Sequence, residues 1–167
     1  HMRTHLILLI INALILAFLF PTGFYETALW TEYKKVGIFN LLGLSYEVRF
    51  ILGIIFLDLA LYLQHRISHV IPWLWKFHKA HHMDLELDAT SGIRFHPFEM
   101  ILSMIFKIML AMALGVPPQC VLVFEMILNG AALFNHGNIK LPQKIEPIIG
   151  VLIVTPEMHR IHHSPYR

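Results

Sequence analysis

The sequence predicts an all-α integral membrane protein: a single domain over residues 1–167, built as a bundle of about four transmembrane helices. Three observations predict this class. Apolar residues make up 56% of the 167 residues and charged residues only 14%, with a mean hydropathy of +0.61. Four long stretches are nearly free of charge, and twelve histidines gather near their ends. A soluble domain of this size rarely carries so few charges.

The predicted spans are the four apolar stretches, which cover residues 6–25, 48–68, 97–116 and 118–135. The first has no charge over twenty residues, which at about 1.5 Å per residue is enough helix to cross a hydrocarbon core of about 30 Å. A cleaved signal peptide is the competing interpretation, but no small-x-small cleavage site follows. Between the last two stretches, Gly115 to Pro118 predicts a tight hairpin of antiparallel helices.

Composition also restricts the function classes. A net charge of +2 gives no basic excess for a nucleic-acid partner. The single cysteine, Cys120, excludes an internal disulfide and a cysteine-based zinc site. His1 stands before Met2 and resembles a cloning remnant, which leaves eleven histidines for analysis.

Charge distribution predicts the orientation of the helices. With both termini cytosolic, nine basic residues lie inside and three outside, as the positive-inside rule expects. The inner set is Arg3, Arg66, Lys76, Lys79, Arg94, Lys140, Lys144, Arg160 and Arg167, and the outer set is Lys34, Lys35 and Arg49. This topology places the 26–47 loop outside and every histidine cluster on the cytosolic side.

Most of the histidines have helical spacing. The three spaced groups are His65 with His69, His78 with His81 and His82, and His159 with His162 and His163, while His136 ends the fourth span. Residues three or four apart share a helix face, and imidazole is the commonest metal ligand near neutral pH. Nine ligands are too many for one tetrahedral centre, so the pattern predicts two metal ions.

Longer motifs surround these histidines over residues 58–164 and resemble those of the fatty acid hydroxylase and sterol desaturase superfamily of membrane di-iron enzymes. They are Asp58-x-x-x-Tyr62-x-x-His65-Arg66-x-x-His69, His78-x-x-His81-His82, Arg94-Phe-His96-Pro97-x-Glu99, Asn135-His136-Gly-Asn138 and Thr155-Pro156-x-Met158-His159-Arg160-x-His162-His163-Ser164. The resemblance implies that the iron ligands are His65, His69, His78, His81, His82, His159, His162 and His163, with His136 as the ninth.

The resemblance implies an oxidoreductase, a lipid hydroxylase or desaturase, in which two iron ions activate O2 to attack an unactivated C–H bond of a sterol or fatty acyl-type lipid. Zinc can replace iron in a purified sample because imidazole sites do not exclude it. An external electron donor, cytochrome b5-like or ferredoxin-type, is expected because no G-x-G-x-x-G fingerprint is present. Family members usually continue beyond the position of Arg167, so this chain is expected to lack their C-terminal segment.

Three polar residues inside the spans are candidate supports for the ligands. Asp58 precedes His65 by two helical turns and is expected to accept from an imidazole N–H, with a packing contact as the alternative. Glu125 and Asn129 share one face of the fourth span, either supporting the ligands or bonding between helices.

For five further residues a role outside the metal site is expected, with metal binding as the alternative for His96 and for one of the acidic residues. His96 is expected to be a solvated or capping residue. The same is expected of His5, which lies at the start of the first span, outside every cluster, so that its replacement is expected to have no effect on the site. Asp84, Glu86 and Asp88 are expected to form a solvated acidic loop.

Two other classes of protein compete with the oxygenase. A histidine-rich metal transporter would place ionisable groups near the bilayer midplane, whereas these clusters lie at span ends. A bis-histidine haem electron carrier needs histidines that face each other across helices, which adjacent doublets such as His81-His82 fit poorly.

Overall fold

The computed structural model describes residues 2–84 and 87–164, and over that part the chain forms nine α-helices, two short 3₁₀ turns and no β-strand. The helices are α1 (Met2–Leu19), α2 (Phe24–Lys34), α3 (Ile38–Leu41), α4 (Tyr46–Val70), α5 (Pro72–His78), α6 (Pro97–Leu114), α7 (Pro118–Asn135), α8 (Glu146–Ile149) and α9 (Pro156–His162). The 3₁₀ turns are His81–Met83 and Ala89–Ile93. The predicted all-α class is confirmed.

Helix ends follow the local sequence. Ser45 caps α4 through its hydroxyl, which accepts from the Val48 N–H. Pro97 and Pro118 begin α6 and α7, where a missing N–H costs nothing. The first helix ends at Leu19 instead of continuing to residue 25, because Pro21 lacks an N–H and restricts the residue before it.

The region predicted to be an external loop, residues 26–47, is largely helical. Helix α2 packs against α6 and α7 instead of standing free. Its buried residues Phe24 and Ala28 belong to the apolar core. The apolar stretches therefore predicted most of the long helices, but not the packing of α2.

Three segments are long and apolar enough to cross a membrane: residues 2–41, 97–114 and 118–135. In the part of the chain that the structure describes, helix α4 has 25 residues but is not among these three segments. It carries Glu47, Arg49, Asp58 and Arg66. The predicted number of four spans is therefore not confirmed.

The apolar core lies at the end of the bundle where α6 turns into α7. There α3, α4 and the hairpin pack together around Leu57, Ala111, Val116 and Cys120. Gly37 approaches the hairpin so closely that a Cβ on it would lie 2.3 Å from the Gly115 nitrogen. From this end, α4 and α7 both run towards the histidines.

Candidate metal centre

All nine predicted ligands come together at the other end of the bundle. His65 and His69 occupy the last turns of α4, His78 ends α5, and His81 and His82 form the following 3₁₀ turn. His136 follows α7 directly, His159 and His162 lie on α9, and His163 follows it. Five separate elements thus contribute imidazoles to one region.

Four of these side chains form the first cluster, which consists of His65, His69, His78 and His82. One ring nitrogen of each lies within 4.8 Å of those of the other three. The Nε2 atoms of His69 and His78 are 3.1 Å apart. This arrangement could hold a metal ion.

Four others form the second cluster, His81, His136, His159 and His163, and all four are buried. Its ring nitrogens satisfy the same 4.8 Å limit. The Nε2 atom of His136 lies 3.2 Å from that of His81 and 3.0 Å from that of His159.

The two clusters are adjacent, and the ninth histidine lies between them. His162, His82 and His163 form a third converging group that takes one member from each cluster. The Nε2 atom of His162 is 3.0 Å from that of His65, and the rings of His82 and His163 stack with centroids 4.0 Å apart. The arrangement is therefore a pair of neighbouring sites.

The outer nitrogens of three ligands are held by protein oxygens. His78 Nδ1 lies 2.6 Å from Glu99 Oε1 at the start of α6. His81 Nδ1 donates to the Arg94 carbonyl at 3.3 Å, and His136 Nδ1 donates to the Ala132 carbonyl at 2.7 Å. A protein acceptor on Nδ1 fixes the tautomer that leaves Nε2 with a free lone pair.

Burial keeps four of these imidazoles neutral. Loss of solvent, followed by the neighbouring histidines, lowers the pKa of His163 to about 3 and that of His159 to about 2. The same causes lower the pKa values of His81 and His82 below the ordinary range. At neutral pH these rings therefore offer lone pairs without needing to lose a proton.

The residues fit a bound metal. Each close Nε2 pair leaves at least one lone pair facing its neighbour, because at most one proton fits between two nitrogens 3.0 to 3.2 Å apart. Among the described residues, His82 Nε2 and both ring nitrogens of His163 are buried without a hydrogen-bond partner. Buried polar atoms are rarely left unpaired, and a cation would satisfy them.

The three predicted supports lie away from the ligands. Asp58 is exposed, and no hydrogen bond within residues 2–84 and 87–164 joins it to a histidine. It shares a helix face with His65 but lies about 10 Å away along the axis, which its short side chain cannot span. Glu125 pairs with Lys107 at 2.6 Å across α6 and α7, which is the bonding between helices given as the second of its predicted roles, and exposed Asn129 donates to the Glu125 carbonyl within α7.

Sequence reasoning missed two carboxylates. Glu99 lies in one of the motifs, but the sequence predicts no role for it; its place in the first turn after Pro97 brings it to His78. The prediction of a solvated acidic loop is wrong for Asp84, which is buried and paired with Arg94. Asp88 caps the Ala89–Ile93 turn, Glu86 lies outside the described residues, and His96 caps α6, as one of its predicted roles required.

Apolar helices ending in two adjacent histidine clusters define a class: a helical membrane protein with a histidine-rich site that could bind metal. A sequence profile described as fatty acid hydroxylase matches residues 50–167, which is more than half of the chain. The chain belongs to this family. The family match and the apolar helices identify it as an integral membrane protein.

Curated relatives agree with the profile. An ornithine lipid hydroxylase of Rhizobium tropici is 30% identical over 118 residues, 68% of this chain and 34% of its own length. The alkylglycerol monooxygenase of Homo sapiens and a cholesterol 25-hydroxylase-like protein of Danio rerio are each 26% identical over 66% of this chain, covering 24% and 45% of their own lengths. The chain thus spans less than half of each relative. No solved structure matches it.

Proposed function

We propose that this chain forms the catalytic core of a membrane-bound di-iron lipid hydroxylase. The observation that carries the proposal is the pair of adjacent four-histidine clusters, the first partly buried and the second buried, at one end of apolar helices. The names of the relatives, two hydroxylases and a monooxygenase acting on different lipids, support the reaction class.

The nine histidines would hold two iron ions, one in each cluster, with His162 between them. Bound iron supplies the redox chemistry that activates O2, which imidazole alone cannot. Overall, one oxygen atom enters a C–H bond of the lipid and the other leaves as water. An external donor, cytochrome b5-like or ferredoxin-type, supplies the electron pair, and solvent supplies the protons.

The chain itself offers a place for the lipid. A cavity of about 450 Å³ lies between α4, α5 and α6 and is mainly apolar. Leu63, Phe77 and Leu102 line it, and so does Glu99, whose carboxylate contacts His78 of the first cluster. A fatty acyl or other long apolar chain in this cavity would therefore have its reacting carbon beside the first cluster.

Metal and lipid analysis of one purified sample tests the proposal. We expect two metal ions per chain, with iron in active protein and zinc as a substitute in overexpressed protein. Incubation with membrane lipids, a reductant and isotopically heavy O2 should give a lipid that carries one heavy oxygen atom. Protein with no bound metal, or with one haem, would overturn the proposal.

Two matched substitutions on α6 test the lipid cavity. Leu102→Trp fills the cavity and should raise KM or change the position of hydroxylation. Ile105→Trp changes a residue on the same helix that is 40% exposed and does not line the cavity, so it should change neither. Equal effects of both substitutions would exclude the cavity as the lipid site.

We further propose that the clusters and both termini face the cytosol, as the nine-to-three distribution of basic residues supports. Introducing Lys35→Cys tests this orientation, because the native thiol of Cys120 is buried. A membrane-impermeant reagent should label position 35 from outside intact cells. Labelling only after the cytosolic side is opened would reverse the orientation without affecting the metal centre.

A further inference from the structure

The two buried side chains of the N-terminal helix α1 are polar, although most of the helix is apolar. His5 and Asn12 are its only buried residues, with 2% and 4% exposure, and the remaining described residues of α1 are more exposed. They lie seven residues apart, so they share one helix face. Polar side chains in an apolar helix are costly unless they bind something.

His5 holds the segment that follows the His81–Met83 turn. Its Nδ1 lies 2.7 Å from Thr90 Oγ1, and its Nε2 lies 3.2 Å from Asp84 Oδ2. Asp84 in turn accepts from Arg94. Through these contacts α1 holds Asp84 and Thr90, which lie between His82 and α6 in the sequence.

Asn12 holds the same segment at Phe95, closer to the start of α6. Its Nδ2 donates to the Phe95 carbonyl at 3.0 Å. The Phe95 ring stacks on His81 with centroids 4.5 Å apart and planes 8° from parallel, and the Arg94 carbonyl accepts from His81 Nδ1. Phe95, which α1 contacts directly, and Arg94, which it reaches through Asp84, therefore both contact His81.

The segment also touches a second ligand. Gly92 packs so closely on the end of α7 that a Cβ there would lie 3.0 Å from the Ala132 oxygen and 3.1 Å from His136 Nδ1. His81 and His136 both belong to the second cluster. Among the described hydrogen bonds and ion pairs, none joins α1 to a member of the first cluster.

We propose that His5 and Asn12 are positioning residues for the second cluster: they hold Asp84, Arg94 and Phe95, which set the ring of His81. Helix α1 lies outside the residues matched by the family profile, which begin at residue 50. This inference rests on the proposed two-metal centre. It replaces the sequence-based expectation that His5, outside every cluster, has no effect on the site.

The test is a zinc titration of metal-stripped protein against a chelator, which resolves two binding affinities. The double variant His5→Ala, Asn12→Leu should weaken one affinity by about 10- to 100-fold, the range for lost supports of metal ligands, and leave the other unchanged. The control Thr4→Ala, Leu14→Ala changes two exposed residues of the same helix and should leave both affinities as in the parent.

Ligand variants identify the affected ion. In a His78→Ala background, which disables the first cluster, the double variant should weaken the remaining ion. In a His81→Ala background, which disables the second, it should leave the remaining ion unchanged. Asp84→Asn, which preserves side-chain shape, should reproduce a smaller loss at the same ion.

The outcomes separate this inference from the proposed function. A parent that binds fewer than two ions would overturn the proposed function, and the inference with it. A parent that binds two, with unchanged affinities in the double variant, would overturn the inference alone. Equal weakening of both ions by Asp84→Asn would also overturn it, because the effect would then be general destabilisation.

Discussion

The two clusters have the same number of imidazoles but are assembled differently. The first takes its four histidines from residues 65–82, within α4, α5 and the turn after them. The second takes one from that turn, one from the end of α7 and two from around α9, over residues 81–163. Continuous local structure builds the first cluster, whereas the second requires the whole bundle.

The supports of the clusters also differ. A carboxylate, Glu99, holds an outer nitrogen of the first cluster, whereas backbone carbonyls of Arg94 and Ala132 hold those of the second. A carboxylate makes the histidine it contacts a more basic ligand than a carbonyl does. The first cluster also adjoins the apolar cavity. The two proposed ions would therefore not be equivalent, and the proposed lipid site would lie nearer to the first cluster.

The largest expected effect comes from removing one ligand of each cluster. His82→Ala and His159→Ala should each abolish activity and reduce the bound metal from two ions to one. No neighbouring side chain can supply the lost nitrogen in the same geometry. Combining the two substitutions should leave no bound metal, because each acts on a different cluster.

Elemental analysis of the three variants measures this effect. Met83→Ala serves as the control, because it follows His82 directly but is 62% exposed. If the combined variant still bound one ion, both substitutions would act on the same site, and the division into two clusters would be wrong.

Sequence spacing predicted well which histidines come together, because helix geometry is local. His65 with His69 requires only 3.6 residues per turn to share a face. The division of His81 and His82 between different clusters was not predictable. These adjacent side chains are directed to different clusters by the 3₁₀ turn that follows α5, which helical spacing does not predict. The motifs also gave no sign that His136 would join His81 instead of His78.

Supports were predicted poorly because their reach depends on tertiary packing. Asp58 lies on the same helix face as His65 but too far along the helix axis to reach it. Glu99 reaches His78 only because α6 begins beside α5. Likewise, the buried state of His5 depends on a segment more than eighty residues away in sequence. The starts of α6 and α7 were predicted from Pro97 and Pro118, whereas the predicted first span continued past Pro21.

An intermediate effect is expected from Glu99→Gln, which tests whether the carboxylate supports the first cluster alone. It keeps the shape of the side chain but removes the charge that contacts His78, so the affinity of the first-cluster ion should fall by about 10- to 100-fold. The affinity of the second-cluster ion should not change. A chelator titration of metal-stripped protein measures both affinities.

Asp58→Asn is the matched control for Glu99→Gln, since it makes the same chemical change at an exposed carboxylate of α4. We expect no change in either affinity. A loss for Asp58→Asn as large as for Glu99→Gln would mean that Asp58 supports a ligand after all.

The smallest expected effect on the metal centre comes from the ion pair between α6 and α7. Lys107 and Glu125 lie 2.6 Å apart at mid-helix, while the same two helices carry Glu99 and His136 at their histidine ends. Lys107→Met leaves a partly buried carboxylate without its cation, which should cost about 2 kcal/mol and lower Tm by about 4–8 °C. Lys107→Met with Glu125→Leu should restore Tm, since an apolar pair replaces the ionic one.

Both variants should keep two ions and the parent affinities, because the clusters are held by their own hydrogen bonds some turns away. Loss of only the second-cluster ion in Lys107→Met would instead show that this cluster depends on the helix pair along its whole length.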